Sequence, residues 1–71
     1  METINYKERD RKAILDYLGA QEGEVMVAHI LTDSGADRLR VYPLLFELEQ
    51  EGLVTVTKEN DLGTPETVRL S

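Results

Sequence analysis

Few side chains in this 71-residue sequence are of types that do chemistry, and their spacing argues against a reaction centre. The one histidine, His29, has no second His or Cys at ligand spacing, and the absence of cysteine removes thiolate metal sites and disulfides. His29 is expected on the exposed side of a short helix, without a metal-binding role. Glu47, Glu49 and Glu51 follow one another at i, i+2 spacing, which makes carboxylates diverge on a helix; with Glu59 they read as a solvated acidic face, not as an acid–base pair. Residues 59–63 gather oxygen ligands beside a glycine but lack the twelve-residue loop and closing Glu of a helix–loop–helix calcium site, and a hairpin turn explains the same residues. There is no glycine-rich phosphate loop, nucleophile elbow or Ser-His-Asp grouping. Neither catalysis nor a cofactor, metal or small-molecule ligand is expected. What remains is binding chemistry, carried by cations that could neutralise phosphate and by apolar side chains that a partner could cover.

The cations are few. Formal net charge is −6, with eight Lys and Arg against fourteen Asp and Glu. Residues 1–12 hold four of the eight basic groups, whereas residues 13–37 contain five acids and no Lys or Arg. Affinity for nucleic acid is mostly phosphate neutralisation, so an acidic domain starts at a disadvantage there unless its cations cluster. Candidates for such a cluster are Lys7, Arg9, Arg11 and Lys12 at one end, with Arg38, Arg40, Lys58 and Arg69 elsewhere. The opening residues are too charged for a secretory signal, and no apolar run approaches the roughly 20 residues of a bilayer crossing, so a cytoplasmic location without membrane contact is expected.

The elements that must position these groups can be read from periodicity. Asn5 followed by Glu8 is a capping-box-like start, and Ile14, Leu15, Tyr17 and Leu18 recur at helical spacing, predicting a first helix over residues 6–20. Glu8 with Lys12, and Lys12 with Asp16, sit four apart on what should be its solvated side. Residues 23–25 suit a very short extra strand. Val27, Ile30 and Leu31 mark a second helix of barely two turns that stops at Ser34 and Gly35. Ser34 and Asp37 are both N-cap candidates for a third helix with Val41, Leu44, Leu45 and Leu48 at core spacing, ended by Gly52. The period then changes to two: Val54 and Val56, a turn over residues 59–65, and Val68 and Leu70 on the return strand predict a two-stranded antiparallel hairpin with these four residues facing the core. Residues 1–71 therefore form one α+β domain of three helices followed by a hairpin. A chain this short buries little over half its unfolded surface, and with no disulfide or metal available, self-association is the expected additional stabiliser.

That order of elements, with Val41-Tyr42, Leu45, Leu48, Glu49, Glu51, Gly52 and Leu53 at the end of the third helix, resembles the winged helix-turn-helix family from Tyr6 to Leu70. Each matched residue also has a physical job: Val41, Leu45 and Leu48 line one face, Gly52 permits a left-handed exit, and Leu53 closes the core below. The resemblance implies that the third helix is the DNA-reading element and the hairpin a wing. Carried onto this chain, the reading positions are Asp37, Arg38, Leu39, Arg40, Tyr42 and Pro43. Arg38, Arg40 and Tyr42 suit DNA contact, with Lys58 from the wing. Leu39 and Pro43 do not, and Asp37 would repel phosphate unless it caps the helix.

The third helix is apolar on two sides. At about 100° per residue, Leu39, Tyr42, Pro43 and Phe46 form a second stripe apart from the core-facing one, more than a soluble monomer ordinarily exposes. Either a partner covers it, or the first helix or residues 1–4 fold over it, or Tyr42 and Phe46 complete one broad core. Pro43 cannot donate to the Leu39 carbonyl; it either kinks a helix that starts near Asp37 or is itself the first residue of the regular helix, with residues 38–42 a separate turn.

Two functions follow. The first is a small winged-helix transcriptional regulator, a homodimer contacting duplex DNA through Arg38, Arg40, Tyr42 and Lys58, slightly favoured by where Arg38 and Arg40 fall. The alternative is a winged-helix interaction or dimerisation module that docks through Leu39, Tyr42, Pro43 and Phe46 and never touches nucleic acid.

Overall fold

A computed structural model describes residues 5–71, arranged as α1 (Tyr6–Gly19), β1 (Val25–Met26), α2 (Val27–Asp33), α3 (Arg38–Gln50), β2 (Val54–Glu59) and β3 (Pro65–Leu70). It is an α+β fold of three helices and one three-stranded antiparallel sheet.

Local chemistry fixes several of the boundaries. The Asn5 side chain accepts the Glu8 backbone N–H at 3.1 Å, satisfying one of the orphan donors that open α1. Ser34, one of two N-cap candidates for α3, instead finishes α2: its hydroxyl donates to the Ile30 carbonyl at 2.6 Å and accepts the Ala36 N–H at 3.2 Å. Asp37 caps α3, accepting the Leu39 N–H at 2.8 Å. At the far end the Leu53 N–H reaches the Leu48 carbonyl at 2.9 Å and the Gly52 N–H the Glu49 carbonyl at 3.0 Å, a Schellman closure for which Gly52 supplies φ of +79°. This is why only three residues separate the helix from the strand that follows it. α3 is one continuous helix from Arg38 to Gln50 with Pro43 inside it, so the alternative start at Pro43 does not occur.

The expected extra strand forms at Val25–Met26, sharing only Val25 with the expected residues 23–25, and its pairing makes the sheet three-stranded: β3 lies in the centre, paired with β1 through Val25↔Val68 and with β2 through Val54↔Leu70 and Val56↔Val68. The return strand of the hairpin begins at Pro65, earlier than the alternation around Val68 suggests. A turn over residues 60–64 is tied by the Asn60 side chain, which accepts the N–H groups of Leu62 at 2.8 Å and Thr64 at 3.0 Å.

The core joins Ile14 and Leu18 of α1, Val27 and Ile30 of α2, Val41, Leu44, Leu45 and Leu48 of α3, and Val25, Val54 and Val68 of the sheet. Two expectations fail at its lower edge. Leu53 is 41% exposed and does not close the core, and Leu70, the last residue of β3, is 38% exposed although its cross-strand partner Val54 is buried. Val56 is only half-buried, next to the register shift that follows it in β2.

Candidate functional site

The residues expected to meet DNA are not assembled as a free cationic set. Arg38, in the first turn of α3, is exposed and makes no ion pair among the described residues. Arg40 is half-buried and turned back on its own chain: Nη1 lies 3.1 Å from Asp10 Oδ2 and 3.3 Å from Asp37 Oδ2, and the guanidinium sits 5.6 Å from the centroid of the Tyr6 ring. Tyr42 is half-buried against the core, and Lys58 is 3.7 Å from Glu66 across the β2–β3 hairpin. Three of the four N-terminal cations are similarly engaged, whereas Arg9 is exposed and without an ion pair among the described residues. Lys7 pairs with Glu47, Arg11 with Glu51 and Lys12 with Asp16, each at 2.7 Å. A hydrogen bond to Glu47 holds the Lys7 ammonium above its ordinary pKa; bonds to Glu51 and Asp16 do the same for Arg11 and Lys12.

These pairs revise one expectation about charge. Glu47 and Glu51 are not simply a solvated acidic face: they are the points where α3 is tied to α1, while Glu49 is exposed and unpaired among the described residues. The expected charged side of α1 is solvated, with Glu8, Lys12 and Asp16 all exposed, but Asp10, on the core-facing side, is only 6% exposed. Asp10, Ile14 and Leu18 lie four apart on one helix face, a spacing that could have marked Asp10 as core-facing. Its single carboxylate is matched by Arg40, so burial leaves no side-chain polar atom without a partner among the described residues.

The stripe expected to need cover divides. Leu39 is 88% exposed, Phe46 is 50% exposed and Pro43 is also exposed, whereas Tyr42 belongs to the core margin. The broad-core alternative therefore holds for Tyr42 and fails for Phe46. α1 does not cover the stripe: its ties to α3 run through Glu47, Glu51 and Arg40, along one flank of it. The remaining alternative, cover by residues 1–4, lies outside the described residues.

A second feature was not foreseen. An open groove of about 540 Å³ runs between α2 and the β2–β3 hairpin, lined by Met26, Ala28, Leu31, Tyr42, Pro65 and Thr67 among others. Met26 is half-exposed there, and Leu62 at the hairpin tip is 90% exposed. Neither stood out in the sequence, because each is an isolated apolar residue in a polar segment. His29 is exposed on α2, and among the described residues no three His, Cys, Asp or Glu side chains gather as a metal-holding group. No helix among the described residues is long and apolar enough to cross a membrane. Comparison of the chain with protein-family models, with curated proteins and with solved structures returns no significant match.

Proposed function

We propose that this protein is a winged-helix interaction module that pairs with a second copy of itself through the outer face of α3. The observation that carries the reading is the exposure of Leu39, Pro43 and Phe46 together on the helix side opposite Val41, Leu44 and Leu48. Covering three such side chains removes apolar area from water at about 25 cal/mol per Å², and a second copy presents the same patch, which an isologous two-fold contact requires. The winged-helix part of the reading is supported by the order helix, short strand, two helices and hairpin, with the short strand laid on the hairpin's return strand. Charge supports an interaction module over a nucleic-acid reader: net charge is −6, and Lys7, Arg11, Lys12, Arg40 and Lys58 are all held by carboxylates of the same chain. Breaking those pairs to reach phosphate would subtract from the gain of counterion release.

The test is solution mass by light scattering over a range of concentrations. The proposal expects a rise from 8.1 kDa, the mass of one chain, to twice that value. Phe46→Glu should hold the protein at one chain while leaving its helical circular dichroism unchanged. A mass of one chain at the highest concentration overturns the proposal.

One observation favours a second reading, a homodimeric DNA-binding regulator: Arg38 is free of intrachain ion pairs among the described residues at the start of α3. That reading expects binding to mixed duplex DNA that weakens steeply with salt and is lost on Arg38→Glu. A gel shift with no retarded complex at low ionic strength discards it.

A further inference from the structure

We infer that the two copies meet as an antiparallel pair of α3 helices about a two-fold axis passing beside Pro43, with Arg38 of each copy bound to Glu49 of the other. This rests on the self-association proposed above and assigns its geometry.

The charges of α3 are ordered along its length. Arg38 and Arg40 stand at its N-terminal end and Glu47, Glu49 and Glu51 at or beyond its C-terminal end. Two such helices side by side and parallel would oppose like charges and like dipole ends; antiparallel, they oppose unlike ones. Three of the five are already engaged within the chain, Arg40 by Asp10 and Asp37, Glu47 by Lys7 and Glu51 by Arg11. Arg38 and Glu49 are the two exposed members without an ion pair among the described residues.

Their positions match the apolar seam in both directions. Around the helix, at about 100° per residue, Leu39, Pro43 and Phe46 occupy an arc of about 60°. On the same count Arg38 and Glu49 both lie about 100° from the middle of that seam, on one and the same flank. A two-fold axis perpendicular to two facing antiparallel helices keeps each flank on its own side, so Arg38 of one copy and Glu49 of the other come to the same edge. Along the helix, an axis beside Pro43 puts Leu39 within about 1.5 Å of level with Phe46 of the second copy, at 1.5 Å rise per residue. Arg38 comes within about 1.5 Å of level with Glu49 on the same arithmetic. Pro43 then faces its own counterpart at the centre, where a compact ring lets the backbones approach. One register therefore buries the whole seam and closes two ion pairs, and two-fold closure stops the assembly at two copies.

The experiment is sedimentation equilibrium at low ionic strength on the full chain, using Arg38→Glu and Glu49→Arg separately and as an equimolar mixture. Each variant alone should dimerise about tenfold more weakly than the parent, because each sets like charges against one another twice per dimer. Mixed, the two variants restore both attractions in a heterodimer, and the dissociation constant should return to within about threefold of the parent. Neither change threatens the helix itself, since an acid in the first turn and a base in the last turn both suit the helix dipole. Wild-type dimers with no recovery on mixing would overturn the antiparallel register while leaving self-association standing. A parent chain that stays single at every concentration would overturn both.

Discussion

Replacing Arg40 by methionine keeps most of the side chain's apolar stem and removes the guanidinium that faces Asp10. The Asp10 side chain is 8% exposed and that of Arg40 is 42% exposed, so the change strands a nearly buried carboxylate whose partner stood half in water. Stranding a fully buried charge costs about 3–5 kcal/mol, whereas an exposed pair is worth about 1 kcal/mol at most. Arg40 lies between these limits, and loss of the contact with the Tyr6 ring adds a few tenths, for a total of about 2 kcal/mol. In a domain of this size that lowers the Tm by about 10 °C. The assay is thermal and urea unfolding followed by circular dichroism at one fixed low concentration, since self-association would add its own stabilisation. Asp10→Asn removes the charge but keeps a polar group, and combining it with Arg40→Met should recover about 1 kcal/mol relative to the sum of the single changes. The reasoning is refuted if Arg40→Met costs less than about 0.5 kcal/mol, or if the two changes are additive. The outcome also governs how Arg40 variants are read in a DNA-binding assay, because a loss of binding there would first have to be separated from a loss of fold.

Leu48 is fully buried on α3, so Leu48→Ala should cost about 3 kcal/mol of a total stability of about 4–10 kcal/mol, leaving a chain that urea unfolds at a much lower midpoint; an unchanged midpoint would remove Leu48 from the core. Asp37→Ala deletes the cap of α3 and should lower stability by about 1 kcal/mol in the same measurement, with Asp37→Asn retaining most of it. Gly52 holds φ of +79° in the α3 exit, so Gly52→Ala should destabilise by about 1 kcal/mol, and an increase in Tm would contradict the left-handed turn. The Lys7 and Lys12 pKa values are raised in the folded protein by Glu47 and Asp16, so the stability these pairs add is complete below the ordinary lysine value of 10.5 and disappears as pH rises through the higher folded value. A Tm that falls above about pH 10, and falls less steeply in Lys7→Met, is the expected profile; equal alkaline slopes in both proteins would show that the Lys7–Glu47 pair adds nothing.

The elements are legible in the sequence because most of their boundaries are set by short-range chemistry. Asn5 and Asp37 accept N–H groups two or three residues ahead, Gly52 alone tolerates its backbone angle, and the change from a period near four to a period of two marks where helix gives way to strand. The sequence by itself also determined that α3 carries two apolar faces, since that follows from spacing alone. Tertiary structure decided which of those faces is hidden and which charges are free. Tyr42 and Phe46 belong to one sequence stripe, yet packing against α2 and the β2–β3 hairpin draws in the first and leaves out the second. Arg38 and Arg40 are neighbours of the same type, yet only Arg40 comes to face Asp10, thirty residues earlier on α1. Pairings across that distance depend on how two helices are set against each other, which is fixed by the fit of many side chains at once and is invisible to any local reading of the chain.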